Sequence, residues 1–302
     1  MDSKLQINHK MKSALSYENE GMLLHALQIY ISLTEEYPDF KDAFIKLAQL
    51  YERLGNLQSA INTFNSLFEN NPDDLESRVY FAQFLLKNSL WDDAINSLNF
   101  VDSAKVPIAA FFIGYSHFML NEYELSKLSF LNFISIERNS ELAHQAYIYI
   151  SKIELKLNNF ESALEYAKKA EVLYANFWEL NYIYAEIYLN LEMYTHAAKT
   201  IEKAISLNPE ESIIYQLAGK IYLKLEHYNK SEKNFLKYIE LNENVSSEVY
   251  SKLAETCFKS GKHIEAQAYY EIAIKINPSN EHAIIGKKNT EEFMNKNLVS
   301  GA

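Results

Sequence analysis

Alanine, glycine and serine recur along this chain in a register that leaves few folds open. One series occupies Ala26, Ala60, Ala94, Ser126, Ala163, Ala197, Ser231 and Ala266, at spacings of 34, 34, 32, 37, 34, 34 and 35 residues. A second stands twelve residues before each of these, at Ala14, Ala48, Ala82, Gly114, Ser151, Ala185, Gly219 and Ala254. Two helices cross at short distance only where neither presents a bulky side chain, so each pair of small residues marks the crossing of one helix pair. Apolar residues recur around them at helical spacing, as in Phe44, Leu47 and Tyr51, then Ile61, Phe64 and Leu67. Gly55, Gly261 and Asn158-Asn159 fall where the turn within a pair belongs, and Pro38, Pro72, Pro209 and Pro278 close four of the eight pairs.

This spacing, with small residues at both crossings, an aromatic before the second and a closing proline, resembles the tetratricopeptide repeat family over about residues 7 to 280. The register sets repeats at 7–40, 41–74, 75–106, 107–140, 144–177, 178–211, 212–245 and 247–280, with residues 1–6 as a flexible N-terminus. Residues 281–297 read as a capping helix, with Ile284, Ile285, Phe293 and Met294 set among polar residues, and 298–302 as a flexible tail. The resemblance implies an all-α fold: a right-handed α-solenoid superhelix of eight antiparallel helix pairs, about one full turn, whose first helices line a concave groove.

Composition agrees, since 7 Gly and 5 Pro in 302 residues leave long helices little interrupted. A net charge of −11 argues against a nucleic-acid partner, which needs a basic surface to neutralise phosphates. The single cysteine, Cys257, excludes an internal disulfide and any zinc site built on paired cysteines. It falls on a packing position and reads as an inert buried thiol. The N-terminal stretch has no apolar run fit for a signal peptide, and no stretch is apolar enough for membrane insertion, so a cytoplasmic protein is expected.

Chemistry for catalysis is missing from the pattern. The histidines His9, His25, His117, His144, His196, His227, His263 and His282 include no metal-binding i, i+4 pair; most fall at second-helix starts or turns and are expected solvated, with His117 in the core. The glycines are isolated, so no phosphate loop forms, and Asp73-Asp74, Asp92-Asp93 and Glu210-Glu211 sit at helix starts where they favour the helix dipole. The expectation is a non-enzyme with no cofactor and no metal.

In the family, places two, five, nine and twelve of each first helix face the groove. The fourth repeat then puts Ile108, Phe111, Tyr115 and Phe118 on its wall, within the uncharged run Val106–Leu120. Burial of that helix is the competing reading. Val79 and Ile148 hold the fifth place in neighbouring repeats, Tyr182 in the sixth, and Trp178 extends the patch. Lys152 with Lys156, and Lys220 with Lys224, are i, i+4 pairs on the groove side of the fifth and seventh repeats, facing an acidic ligand in this reading. The carboxylate clamp of chaperone-binding relatives is absent, since its fifth and ninth places here read Met11 with Leu15, Ile45 with Gln49 and Val79 with Gln83.

The sequence thus points to a protein-interaction scaffold that takes an apolar, partly acidic protein or peptide segment in its groove. Three alternatives stay open: a regulatory or assembly subunit that self-associates as a homodimer, a binding platform for a separate enzyme, and a small-molecule sensor, which would need a closed pocket.

Overall fold

Small residues at fixed spacing force close helix contacts, and the computed structural model, which describes residues 2–173 and 176–300, consists of such contacts repeated. The helices are α1 (Asp2–Asn19), α2 (Leu23–Glu36), α3 (Lys41–Arg53), α4 (Leu57–Asn70), α5 (Leu75–Lys87), α6 (Trp91–Leu98), α7 (Ile108–Met119) and α8 (Tyr123–Ile136) in one compact body, Met1–Ile136. The second body, Glu137–Ala302, holds α9 (Glu141–Lys156), α10 (Phe160–Leu173), α11 (Trp178–Asn190), α12 (Tyr194–Leu207), α13 (Ser212–Lys224), α14 (Tyr228–Glu240), α15 (Ser247–Lys259), α16 (His263–Ile276) and α17 (Glu281–Ser300). No strand occurs among the described residues. Each odd-numbered helix through α15 pairs with the next, and α17 packs on α15 and α16.

All sixteen small residues of the two series are buried. The residue four places after each member of the first series packs beside the crossing: Tyr30, Phe64, Leu98, Phe130, Ala167, Ile201, Phe235 and Tyr270, all buried. At Gly114 and Gly219 a Cβ would lie 3.0 Å from the Phe130 ring and 2.7 Å from the Phe235 ring, so glycine is what lets those rings in. Where serine stands at a crossing its hydroxyl is not left orphaned. Ser126 donates to the Gly114 carbonyl at 2.7 Å, Ser151 to that of Ala163 at 2.8 Å and Ser231 to that of Gly219 at 2.9 Å.

The turn inside each pair obeys the same register. Gly21, Gly55, Ser89, Asn121, Asn158, Glu192, Glu226 and Gly261 all have positive φ, each five residues before the second small residue. A left-handed residue reverses the chain after a helix and lets the following N–H reach back, as His227 N–H does to the Tyr222 carbonyl at 2.9 Å. Glutamate has no ease in that region, and Glu192 and Glu226 are held at φ 59° and 60° by the packing on either side.

The sequence boundaries need adjustment at both ends. Helix α1 starts at Asp2, inside the stretch read as a flexible N-terminus, because Ser3 to Gln6 contain nothing that stops a helix. Helix α17 continues to Ser300, past the expected end at 297, for the same reason. Met1, Ala302 and Gly301, with Tyr174 and Ala175 of the fifth repeat, lie outside the described residues. The cap expectation rests on α17, whose Phe293 ring meets His263 at 4.5 Å and Phe258 at 5.8 Å between centroids.

Two outcomes test this packing. Ala197, fully buried at its crossing, has no space for a larger side chain, so Ala197→Leu lowers unfolding free energy by about 1–3 kcal/mol in a denaturant melt. Glu226→Gly removes left-handed strain at an exposed turn and raises stability by about 0.5–1 kcal/mol in the same measurement, offset in part by the entropy of glycine in the unfolded chain.

Candidate functional site

First helices touch along their sides at α5 with α7 in one body and at α9 with α11, α11 with α13 and α13 with α15 in the other, and the places expected to face a groove divide according to how deep they fall in such a seam. In the N-terminal body, Val79 is half-buried against Ala82, Leu98, Val101 and Ala109. Ile108, Tyr115 and Phe118 are also half-buried, Tyr115 with its ring 5.7 Å from Trp91 and edge-on to it, and Phe118 6.2 Å from Tyr123. Phe111 is different, being only 7% exposed. It lies one helical turn before Gly114, and its ring meets Phe130 at 5.4 Å and Phe133 at 5.5 Å, both edge-on. The glycine that admits Phe130 draws Phe111 into the α7–α8 core, so it is not a wall residue.

In the C-terminal body Ile148 is likewise inside, 2% exposed among Leu180, Ile183 and Ile187 of α11, because it falls in the α9–α11 seam. Trp178 and Tyr182 are half-buried, Trp178 against the Ile214–Leu217 cluster and Tyr182 against clusters on both sides of it. Burial pushes the Tyr182 hydroxyl well above its ordinary range, with Glu186 and Glu211 adding to the effect.

The four lysines are on this face, but two are already answered. Lys152 pairs with Glu179, and Lys220 with Glu248 at 3.2 Å. Lys156 and Lys224 are exposed and make no ion pair among the described residues. Glu186 is half-buried near three of the lysines: burial raises its pKa above the ordinary 4.5, and Lys156, Lys220 and Lys152 pull it back only in part. Further along, burial raises Glu255 but is outweighed by Lys252 at 2.9 Å and Lys259 at 3.2 Å, which hold that carboxyl below its usual range.

These acidic partners were not singled out from sequence, although a signal existed. Lys152 and Lys220 occupy the ninth place of their repeats, and Glu179 and Glu248 the second place of the next, the same step in both cases. Gln49, at another ninth place, likewise reaches the next repeat, donating to the Tyr80 hydroxyl. Among the histidines His144 departs from the expected solvation: it is buried, and its Nδ1 donates to the Ala170 carbonyl at 2.9 Å. His117 is half-buried, with Nδ1 2.6 Å from Glu122, and burial pushes the Cys257 thiol up to about 12. No group of residues able to hold a metal ion occurs among the described residues, and none of their helices is long and apolar enough to cross a membrane.

Family models for the tetratricopeptide repeat match residues 179–211, 213–245 and 247–280, the pairs α11–α12, α13–α14 and α15–α16. The chain is a tetratricopeptide repeat protein. A further model, described as anaphase-promoting complex, cyclosome, subunit 3, matches residues 24–101 of this repeat protein. No curated protein matches its sequence. Among solved structures it is similar to a chain of the APC/C hetero-tetramer Cut9-Hcn1, with TM-score 0.66 and 15% identity over 89% of this chain and 52% of that one. It therefore spans about half the length of that neighbour. It is also similar to the MamA fragment 41-end from Desulfovibrio magneticus RS-1, with TM-score 0.51 and 17% identity over 60% of this chain and 98% of that one. At such identities the likeness establishes the fold alone.

Glu186 gives the repeat array a readable pH dependence. Its folded pKa is raised, so the native state holds this proton more tightly than the unfolded chain. The associated stability is complete below the ordinary value near 4.5 and is lost as pH rises through the folded value. Glu186→Gln therefore raises Tm at pH 7, and the gain over the parent shrinks toward zero as melts are repeated down to below that value.

Proposed function

We propose that this chain is a non-catalytic protein-interaction scaffold that binds a partner segment along the faces of its first helices. The observation that carries the reading is the contrast between two sets of positions. The crossings are uniformly small and buried, whereas the accessible first-helix places vary from Ile108, Tyr115 and Phe118 to Lys156 and Lys224. Variation on the open face of a uniform solenoid is how such folds acquire distinct partners. In the N-terminal body the face is apolar and aromatic and suits an aliphatic or aromatic anchor; in the C-terminal body it alternates lysine and glutamate and suits a segment bearing both charges, acidic residues meeting Lys156 and Lys224. The similarity of residues 24–101 to a subunit of the anaphase-promoting complex, together with the Cut9-Hcn1 neighbour, supports a place as one subunit of a larger assembly.

Co-purification with quantitative mass spectrometry tests this. Ile108, Tyr115 and Phe118 changed together to serine weaken capture of the principal partner by roughly tenfold or more, since the loss of one anchor costs more than about 1.4 kcal/mol. Lys156→Glu with Lys224→Glu weakens it less and in a salt-dependent way. Unchanged capture by a folded triple variant rejects the reading. A concentration-dependent mass in light scattering that the triple variant abolishes replaces it with self-association.

A further inference from the structure

The register that fixes the fold also marks one pair whose outer side departs from the rest. The residue two places after each small residue of the first series is exposed in all eight pairs. It is polar in six of them, from Gln28 to Lys233, and alanine in the last, Ala268. Only the fourth pair sets a large apolar side chain there, Leu128, 65% exposed. The places three before and three after it are leucine too, Leu125 at 50% and Leu131 at 37% exposed. In the other seven pairs the earlier of these places is polar throughout, and the later is apolar only at Ile31 and Leu236. Packing of the pair does not ask for these leucines, because seven pairs pack without them. The buried residues of α8, Ser126, Phe130, Phe133 and Ile134, share one side of the helix, and at about 100° per residue Leu128 projects from the opposite side.

Charge and spacing both fit this face to a copy of itself. A chain of net charge −11 repels its own copy over most of its surface. Here the repulsion is weakest, since of the two charged residues of α8, Glu124 and Lys127, only Glu124 is exposed. The leucines are also evenly spaced about Leu128, so their order is the same in both directions along the helix. A two-fold axis at Leu128, with the two α8 helices antiparallel, sets Leu128 against Leu128 and each Leu125 against Leu131 of the second copy. The two Glu124 side chains then fall eight residues apart along the axis, about 12 Å, beyond the Debye length of about 8 Å at physiological salt. A parallel pairing would set them side by side.

We propose that the outer face of α8 is a self-association surface, on which a second copy of this chain docks antiparallel through Leu125, Leu128 and Leu131. Three leucines are far fewer than the roughly 20–30 residues a side of a standard interface, so the dimer is weak and forms with rising concentration. Sedimentation velocity from about 1 μM to 1 mM, the range in which so small an interface closes, takes the parent from monomer to dimer. Leu128→Glu raises the dissociation constant by roughly tenfold or more, because the axis brings the two new carboxylates together. Its melt at the lowest concentration matches that of the parent, since the side chain is exposed. Leu125→Lys alone also weakens the dimer, and adding Leu131→Glu restores it at low salt, because antiparallel docking sets each ammonium against a carboxylate of the second copy. This face shares no residue with the first-helix reading, so the Ile108, Tyr115 and Phe118 triple variant dimerises as the parent does and the two readings fail separately. A parent that stays monomeric, a Leu128→Glu variant that dimerises equally well, or a dimer lost in the triple variant overturns the proposal. So does a double variant weaker than Leu125→Lys alone, which excludes the antiparallel register. A monomeric parent that captures a different protein through Leu128 overturns it as well, by making a foreign chain the occupant.

Discussion

Close approach of two helix backbones is the interaction on which the rest of this molecule depends. It requires a small residue on both helices at one level, and this chain supplies that pairing eight times, from Ala14 with Ala26 to Ala254 with Ala266. Once the approach is fixed, the ring or branch four residues on has a defined hollow to enter, and the left-handed turn residue has a defined place. The constraint acts on size and hardly on identity. Serine satisfies it as well as alanine does, because its hydroxyl bonds the carbonyl across the crossing. Positions away from the crossing are therefore released to carry whatever chemistry recognition requires.

This explains what could be read from sequence. The fold was legible because small residues at a 34-residue spacing have few other uses. Gly55, Gly261 and Asn158 announced their turns because those residue types tolerate positive φ, whereas Glu192 and Glu226 did not, and only the register reveals them. The site was legible in outline alone. A fifth-place side chain lies close to the seam between adjacent first helices, and its depth depends on neighbours that a single-repeat reading does not consider. Gly114 and its partner Phe130 draw Phe111 inward, and Leu180 and Ile183 cover Ile148, while Tyr115 stays at the edge beside Trp91. That Lys152 and Lys220 are already paired is not legible within one repeat, because Glu179 and Glu248 come from the following one.

The two faces of the C-terminal body differ in how charge is used. On the first-helix side, Lys152 and Lys220 are matched by carboxylates from the next pair, and Glu186 sits half-buried among three lysines, so unlike charges interleave. On the outer side the lysines of α12 and α14 exceed their local partners. A net charge of −11 describes neither face. Local potential, which is what a partner meets at short range, is set by which helix contributes the carboxylate and by how far that carboxylate is committed elsewhere.

The fully buried residues of α10 are all alanine, Ala163, Ala167 and Ala170, with Leu164 only partly buried beside them, where α4 adds Phe64, Leu67 and Phe68 to Ala60 and Thr63. Alanine allows the closest approach, but it removes little apolar surface from water and has no side chain to interlock. In a linear stack each repeat is retained only by its neighbours, with no distant contact to hold it if those fail. Cohesion along such a stack is therefore uneven, and thermal breathing or a mechanical load applied along the chain would concentrate where interlocking is poorest, making the fifth pair the compliant joint of its body.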